Sequence, residues 1–204
     1  QFVEKRILEG GMIPAFKGYG GFPASACVSV NEVIVHGIPS KSKKLREGDI
    51  VSVDAGAIYQ GWYSDMARTY AVGEISPEAA KLVRVTEESF FEGLKYCVAG
   101  NYLSDVSHAI QVHLESNGFG VIRDYVGHGL GREMHEQPPV PNYGRPGRGP
   151  KLKKGMVLAI EPMVSAGSYA VKVLPDEWTA VTGDGSLAAH YENTVVITDA
   201  EPLV

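Results

Sequence analysis

Four carboxylates and one imidazole carry the chemical potential of this chain: Asp54, Asp65, His128, Glu161 and Glu192. As a donor set they are hard and oxygen-rich. That composition suits two divalent ions bridged by carboxylates, such as Mn, Fe, Co or Zn. It does not suit a structural zinc site, which would use thiolates and close completely. Two ions about 3.5–4 Å apart share a bridging water, lower its pKa and stabilise both oxygens of a tetrahedral intermediate. Four neighbouring acids also need such cations, because unpaired carboxylates repel and raise one another's pKa.

The elements that must hold these groups are read from a repeated phrase. Leu45-Arg-Glu-Gly48-Asp-Ile-Val-Ser-Val-Asp54 aligns without gaps on Leu152-Lys-Lys-Gly155-Met-Val-Leu-Ala-Ile-Glu161. Each copy reads as a turn glycine, an apolar strand and then an acid. A second acid precedes a second strand-like run in each: Asp65 before Thr69–Val72, and Glu192 before Thr194–Ile197. An acid at the end of an apolar strand is costly to bury unless it is paired or bound to a cation. Two matched hairpins, each with two acids at matching points, predict a duplicated half-domain with an acidic site at the join.

Bulk composition narrows the class. The chain has 204 residues, 44% hydrophobic and 21% charged, enough for a single domain, 1–204, with a real core. A net charge of −5 argues against a general nucleic-acid binder. No run is long and apolar enough to span a bilayer. The two cysteines, Cys27 and Cys97, fit reduced thiols in a cytoplasmic protein. Residues 1–10 read as the last turns of a helix closed by Gly10-Gly11, so the chain is expected to start inside an element.

Two helices are expected between the repeats. Ser76-Pro77 caps one running to about Tyr96, with Leu82, Val85, Phe90, Leu94 and Cys97 inward. Ser104 is expected to cap the other, which ends at Gly118; His108 and His113 on it lack ligand spacing. Residues 26–35 read as strand segments broken at Asn31-Glu32, with His36 at the end before Gly37-Ile38-Pro39. Residues 11–24 mix Phe16, Tyr19 and Phe22 with glycines; they read either as a surface loop or as an aromatic wall, and the residues by themselves favour the loop. Trp178 by itself reads as core. Glycines flank His128, which would let backbone approach a ligand, and His135 follows seven residues later. Pro138–Pro150, with Arg145 and Arg148, reads as a rim or lid.

Six motifs together resemble a known family. They are Asn31-Glu32 with His36-Gly37-Ile38-Pro39, the Asp54/Asp65 pair, Val126-Gly127-His128-Gly129, Met134-His135-Glu136, Ala159-Ile160-Glu161-Pro162-Met163, and His190-Tyr191-Glu192-Asn193-Thr194. The chain resembles the bacterial type I methionine aminopeptidases across essentially its whole length. The resemblance implies the α+β pita-bread fold, two pseudo-symmetric halves around a curved antiparallel sheet with helices outside. It implies two divalent ions held by Asp54, Asp65, His128, Glu161 and Glu192, with Asp65 and Glu192 bridging. His36 and His135 would contact substrate and the developing tetrahedral oxygen, and Glu161 would shuttle the proton of a metal-bridging water. The methionine pocket would be Phe16, Tyr19, Phe22, Cys27 and Trp178, with Met134 nearby, which replaces the bland readings of that loop and of Trp178. Family members also hold a monovalent cation at the positions of Asn31 and Val33. They carry an N-terminal helical segment that has no counterpart ahead of Gln1.

The expected activity is removal of the initiator methionine from nascent chains with a small second residue. The expected partners are those N-termini, at the ribosome, met by a cytoplasmic monomer that binds neither nucleic acid nor membrane. The alternatives are an Xaa-Pro peptidase of the aminopeptidase P or prolidase kind, and a non-catalytic pita-bread binding protein.

Overall fold

The computed structural model describes residues 1–204. Helix α1 (Phe2–Glu9) leads through β1 (Ile13–Pro14) into the aromatic loop. β2 (Cys27–Val30), β3 (Val33–Val35) and the long hairpin β4 (Ile50–Tyr59) and β5 (Trp62–Ala71) follow. Helices α2 (Pro77–Leu94) and α3 (Leu103–Ser116) separate the halves. The second half runs β6 (Gly120–Val121), β7 (Gly127–Gly129), β8 (Glu136–Val140), β9 (Val157–Ile160) and β10 (Met163–Ser165). It ends with β11 (Val171–Val173), β12 (Ala180–Thr182), β13 (Ala188–His190) and β14 (Glu192–Val196).

The main sheet is antiparallel, in the order β1-β4-β5-β14-β9-β7-β8, with β2 also on β4. Both helices cover one face. Leu82, Val85 and Phe90 of α2 and Val106, Ile110 and Leu114 of α3 are fully buried against Leu158, Ile160 and Val195. Each such side chain contributes about 1.5–3 kcal/mol by leaving water. Gly93 lets the helices meet closely, since a Cβ there would lie 2.7 Å from Ile110 Cγ1. Ser76 caps α2 as the sequence implies, its hydroxyl accepting from Ala79 N–H at 3.1 Å. The helix stops at Leu94, short of Tyr96. α3 begins one residue before Ser104: the Asp105 carboxylate accepts from Tyr102 N–H at 2.9 Å, and the Ser104 hydroxyl donates instead to the Arg148 carbonyl.

The duplication is visible in the strand register. β4 and β5 pair continuously from Ile50↔Ala71 to Tyr59↔Trp62. In the second half β9–β14 pairs Val157↔Val196 through Ile160↔Asn193, and β10–β13 carries the same register on through Met163↔His190. So the second hairpin is as long as the first, but a segment carrying β11, β12 and Trp178 replaces the Gln60-Gly61 turn. The repeat places Asp54 on Glu161. It does not place Asp65 on Glu192. Asp65, opposite Gly56, falls on His190, opposite Met163, while Glu192 falls on Ala67. Ala67 and Glu192 pair directly across β5–β14, so the pseudo-two-fold passes between them. The second acids are thus offset by two residues, one same-face step along a strand.

Two further expectations change. The glycines beside His128 serve strand packing: a Cβ on Gly127 would meet the Ala159 carbonyl, and one on Gly129 the Gln137 carbonyl. The proline-rich stretch opens as edge strand β8, where proline is tolerated. Its remainder is tied to α3 through Gly144 N–H to Gln111, Gly147 N–H to Asp105 and Arg148 N–H to Ser104, so it is no lid over the acids.

Candidate metal centre and cleft

Five strands that are neighbours in the sheet each bring one group to the same face. Across β4, β5, β14, β9 and β7 these are Asp54, Asp65, Glu192, Glu161 (just past β9) and His128. Neighbouring strands lie about 4.8 Å apart, so short side chains from a curved sheet converge on one point. All thirteen residues expected as metal ligands, catalytic groups or pocket wall line a single cleft of about 190 Å³.

Burial without partners defines the acid end. Asp65 is 5% exposed and Glu192 2%. Asp54 Oδ1, Asp65 Oδ1 and Glu192 Oε1 are buried with no hydrogen-bond partner. Burial, then the charges of Asp65 and Glu161, holds the Asp54 carboxyl well above the usual range. Burial acts likewise on Glu161 and Glu192, reinforced in each by Asp65. It raises Asp65 to about 7. Cys27 beside them is pushed up first by burial and then by Asp54. Orphaned oxygens and raised carboxyls are what a cation would relieve. One oxygen or nitrogen each from Asp65, His128 and Glu192 lie within 4.8 Å of one another, as do those from Asp54, His190 and Glu192. The set fits a divalent ion.

His128 is prepared to ligate. Its Nδ1 lies 2.9 Å from the Gly129 carbonyl; donation there leaves Nε2 as the lone-pair nitrogen, 3.6 Å from Glu161 Oε1. Burial lowers its pKa to about 4, so the ring is neutral.

Two other histidines face the cleft without joining that cluster. The His135 ring lies tilted against His128, their centroids 4.2 Å apart, and its Nδ1 meets the Tyr19 hydroxyl at 2.7 Å. His36 sits at φ +59°, a strained conformation for a side chain of its size. Its ring is edge-on to Tyr125 at 5.3 Å and to Trp178 at 6.3 Å. Burial lowers the pKa of both.

The apolar end is a small cluster of Phe16, Phe22, Cys27 and Met134, with Trp178 edge-on to Phe22 at 5.1 Å. The aromatic loop and Trp178 are therefore cleft walls, not a detached surface loop or central core. Val35, Tyr125, Val126 and Met163 also line the cleft, and sequence reading missed them. Val126 and Met163 lie within quoted motifs, and Val35 and Tyr125 each adjoin one. His190, within one, was passed over as a site residue. His108 and His113 stay outside the cleft, bonded to the Gly144 carbonyl and beside Glu88.

The sheet of single-carboxylate strands around an acid-lined cleft defines a metallopeptidase: the chain belongs to metallopeptidase family M24, which it matches over residues 1–199. Within that family it belongs with the methionine aminopeptidases. It is 64% identical over 202 residues to the methionine aminopeptidase of Clostridium acetobutylicum, covering 99% of this chain and 81% of that protein. The methionine aminopeptidase structure from Thermotoga maritima superposes with a TM-score of 0.96 at 56% identity, over 98% of this chain and 80% of that one. A prolidase from Pyrococcus horikoshii shares the fold more distantly, with a TM-score of 0.69 at 24% identity over 87% of this chain and 46% of that one. These likenesses establish the pita-bread α+β fold.

Proposed function

We propose that this chain removes the N-terminal methionine from polypeptides whose second residue is small. The observation that carries this reading is the junction of an apolar slot lined by Phe16, Phe22, Cys27, Met134 and Trp178 with the acid cluster and two flanking histidines. We assign Asp54, Asp65, His128, Glu161 and Glu192 as ligands of two divalent ions of the Mn, Fe, Co or Zn class, with a monovalent cation at Asn31 and Val33. Such ions supply a water acidic enough to act as nucleophile near neutral pH and an electrophile for the scissile carbonyl.

The chain's own residues do the rest. The slot takes the unbranched thioether, whose sulfur gains about 0.3–1.5 kcal/mol per aromatic contact. Glu161 receives a proton from the nucleophile and passes it to the departing amide nitrogen; its buried, raised carboxyl suits both halves of that task. His135 and His36 stand over the cleft where the developing oxyanion and the peptide amide would lie. The working substrates are then nascent-chain N-termini met at the ribosome, by a cytoplasmic monomer in which residues 1–204 form the catalytic domain. No helix is long and apolar enough to cross a membrane.

Side-by-side hydrolysis of Met-Ala-Ser and Xaa-Pro peptides, with and without added metal, tests this. Met-Ala-Ser should be cleaved and the Xaa-Pro peptide left intact. Preference for Xaa-Pro would transfer the chain to the prolidase branch. Metal uptake without any hydrolysis would favour a binding protein.

A further inference from the structure

We propose that His190 is a sixth protein ligand of the metal centre, its Nε2 completing a donor set with Asp54 and Glu192. The inference rests on the metal-centre reading above and extends it to a nitrogen that the five-residue set leaves out.

The first observation is an orphaned atom. His190 is 2% exposed, and its Nε2 is buried with no hydrogen-bond partner. That nitrogen is 3.7 Å from Glu161 Oε2 and 3.7 Å from Glu192 Oε2. Those separations are too long for N–H···O hydrogen bonds, which run about 2.7–3.2 Å. They suit two donors of one ion, each about 2.0–2.2 Å from it and so held up to about 4 Å apart. The same ring lies within 4.8 Å of both an Asp54 and a Glu192 oxygen.

The second observation is independent of side-chain distances. By strand register His190 is the counterpart of Asp65 in the other half of the molecule. The duplicated hairpins therefore aim position 65 and position 190 at the pseudo-two-fold from opposite sides. Asp65 is placed in the metal cluster by its own orphaned oxygen. Symmetry points His190 at the same centre. Its backbone is clamped to hold that aim: Thr69 Oγ1 accepts from His190 N–H at 2.9 Å and donates to the His190 carbonyl at 2.9 Å. A ring fixed behind the carboxylates is preorganised for a metal.

The test uses the full chain, stripped by chelator and reloaded with Co(II). X-ray absorption counts imidazoles around the metal, and calorimetry gives stoichiometry and affinity. The wild-type protein should show two imidazoles per chain. His190→Gln should show one and bind one metal equivalent at least about tenfold more weakly. One imidazole in the wild type overturns the proposal and leaves the five-residue centre standing; this measurement needs no variant to fold. So does His190→Gln with wild-type affinity and imidazole count. A wild type that binds no Co(II) overturns the metal-centre reading itself, and this proposal with it.

Discussion

Tyr19 and His135 are 116 residues apart in the chain, yet the phenol oxygen and His135 Nδ1 lie 2.7 Å apart at the mouth of the cleft. The contact joins the aromatic wall of the cleft to a histidine proposed to act on the substrate. It engages Nδ1 and leaves Nε2 as the ring nitrogen available to a substrate. Tyr19→Phe keeps the aromatic wall and removes the tether. Its kcat should fall by about 2- to 12-fold, the worth of one hydrogen bond, with KM little changed. Tyr19→Ala should in addition narrow the Met/Leu preference. Steady-state kinetics on Met-Ala-Ser and Leu-Ala-Ser check both; unchanged kcat in Tyr19→Phe would show that His135 needs no such support.

The acids should behave as a unit. Asp54→Ala or Asp65→Ala removes charge from a cluster in which one oxygen each of Asp54, Asp65 and Glu192 has no hydrogen-bond partner. Each should lose metal uptake and activity together. Metal analysis of purified variants decides it, and near-normal turnover with full metal would remove that residue from the ligand set.

His135→Ala and His36→Ala should separate chemistry from metal. Neither ring belongs to the carboxylate clusters. Their kcat should drop by about 10²-fold or more while metal stoichiometry stays at the wild-type value. Loss of metal from either variant would make it a ligand instead.

Much of this centre was legible because its spacing is local. The repeated strand-then-acid phrase exposed Asp54 and Glu161, and the two-hairpin duplication followed from it. The register did not follow. Nothing in Thr194 or Thr69 says that Glu192 lies on the pseudo-two-fold and that Asp65 answers to His190. That information sits in the pairing of Met163 with His190 across an inserted segment. The pocket was less legible still. Phe16, Met134 and Trp178 come from three distant loops, and only tertiary packing makes them neighbours. Glycines 127 and 129 misled for a related reason: the backbone they admit is another strand's, not a ligand's.

Metal binding should be proton-linked through the carboxylates and not through His128. The Asp65 carboxyl stands at about 7 and Asp54, Glu161 and Glu192 well above their usual range, whereas His128 stands at about 4. A cation must displace the acid protons, so affinity should rise as pH climbs through 7. Without metal the sign for folding is opposite. A carboxyl whose folded pKa is raised contributes stability fully below its unfolded value, near 3.9, and loses it as pH rises through the folded value. The gap in Tm between loaded and stripped protein should therefore widen from pH 5.5 to 7.5. Calorimetry in buffers of different ionisation heat should show proton release at pH 7. A pH-independent gap would mean the acids are already ionised when empty.

Gly56 offers a way to disturb specificity while sparing the ligands. It faces Asp65 across the β4–β5 hairpin, behind the aromatic wall. A Cβ there would lie 2.7 Å from Phe16 Cε1, 3.1 Å from Ala15 Cβ and 3.1 Å from the Ser64 carbonyl. The Ser64 carbonyl belongs to the strand ladder and yields little, so the Phe16 ring must move, and it moves into the slot. Gly56→Ala should raise KM for Met-Ala-Ser and erode the Met/Leu ratio by about tenfold, the low end of the scale for a methylene of misfit. Metal content should hold. Gly149→Ala is the control: its φ is +76° with nothing within 4 Å of an added Cβ, so it should cost about 1 kcal/mol of stability and leave the ratio alone. If Gly56→Ala folds, keeps its metal and discriminates Met from Leu as the wild type does, Phe16 is not a wall of the methionine slot.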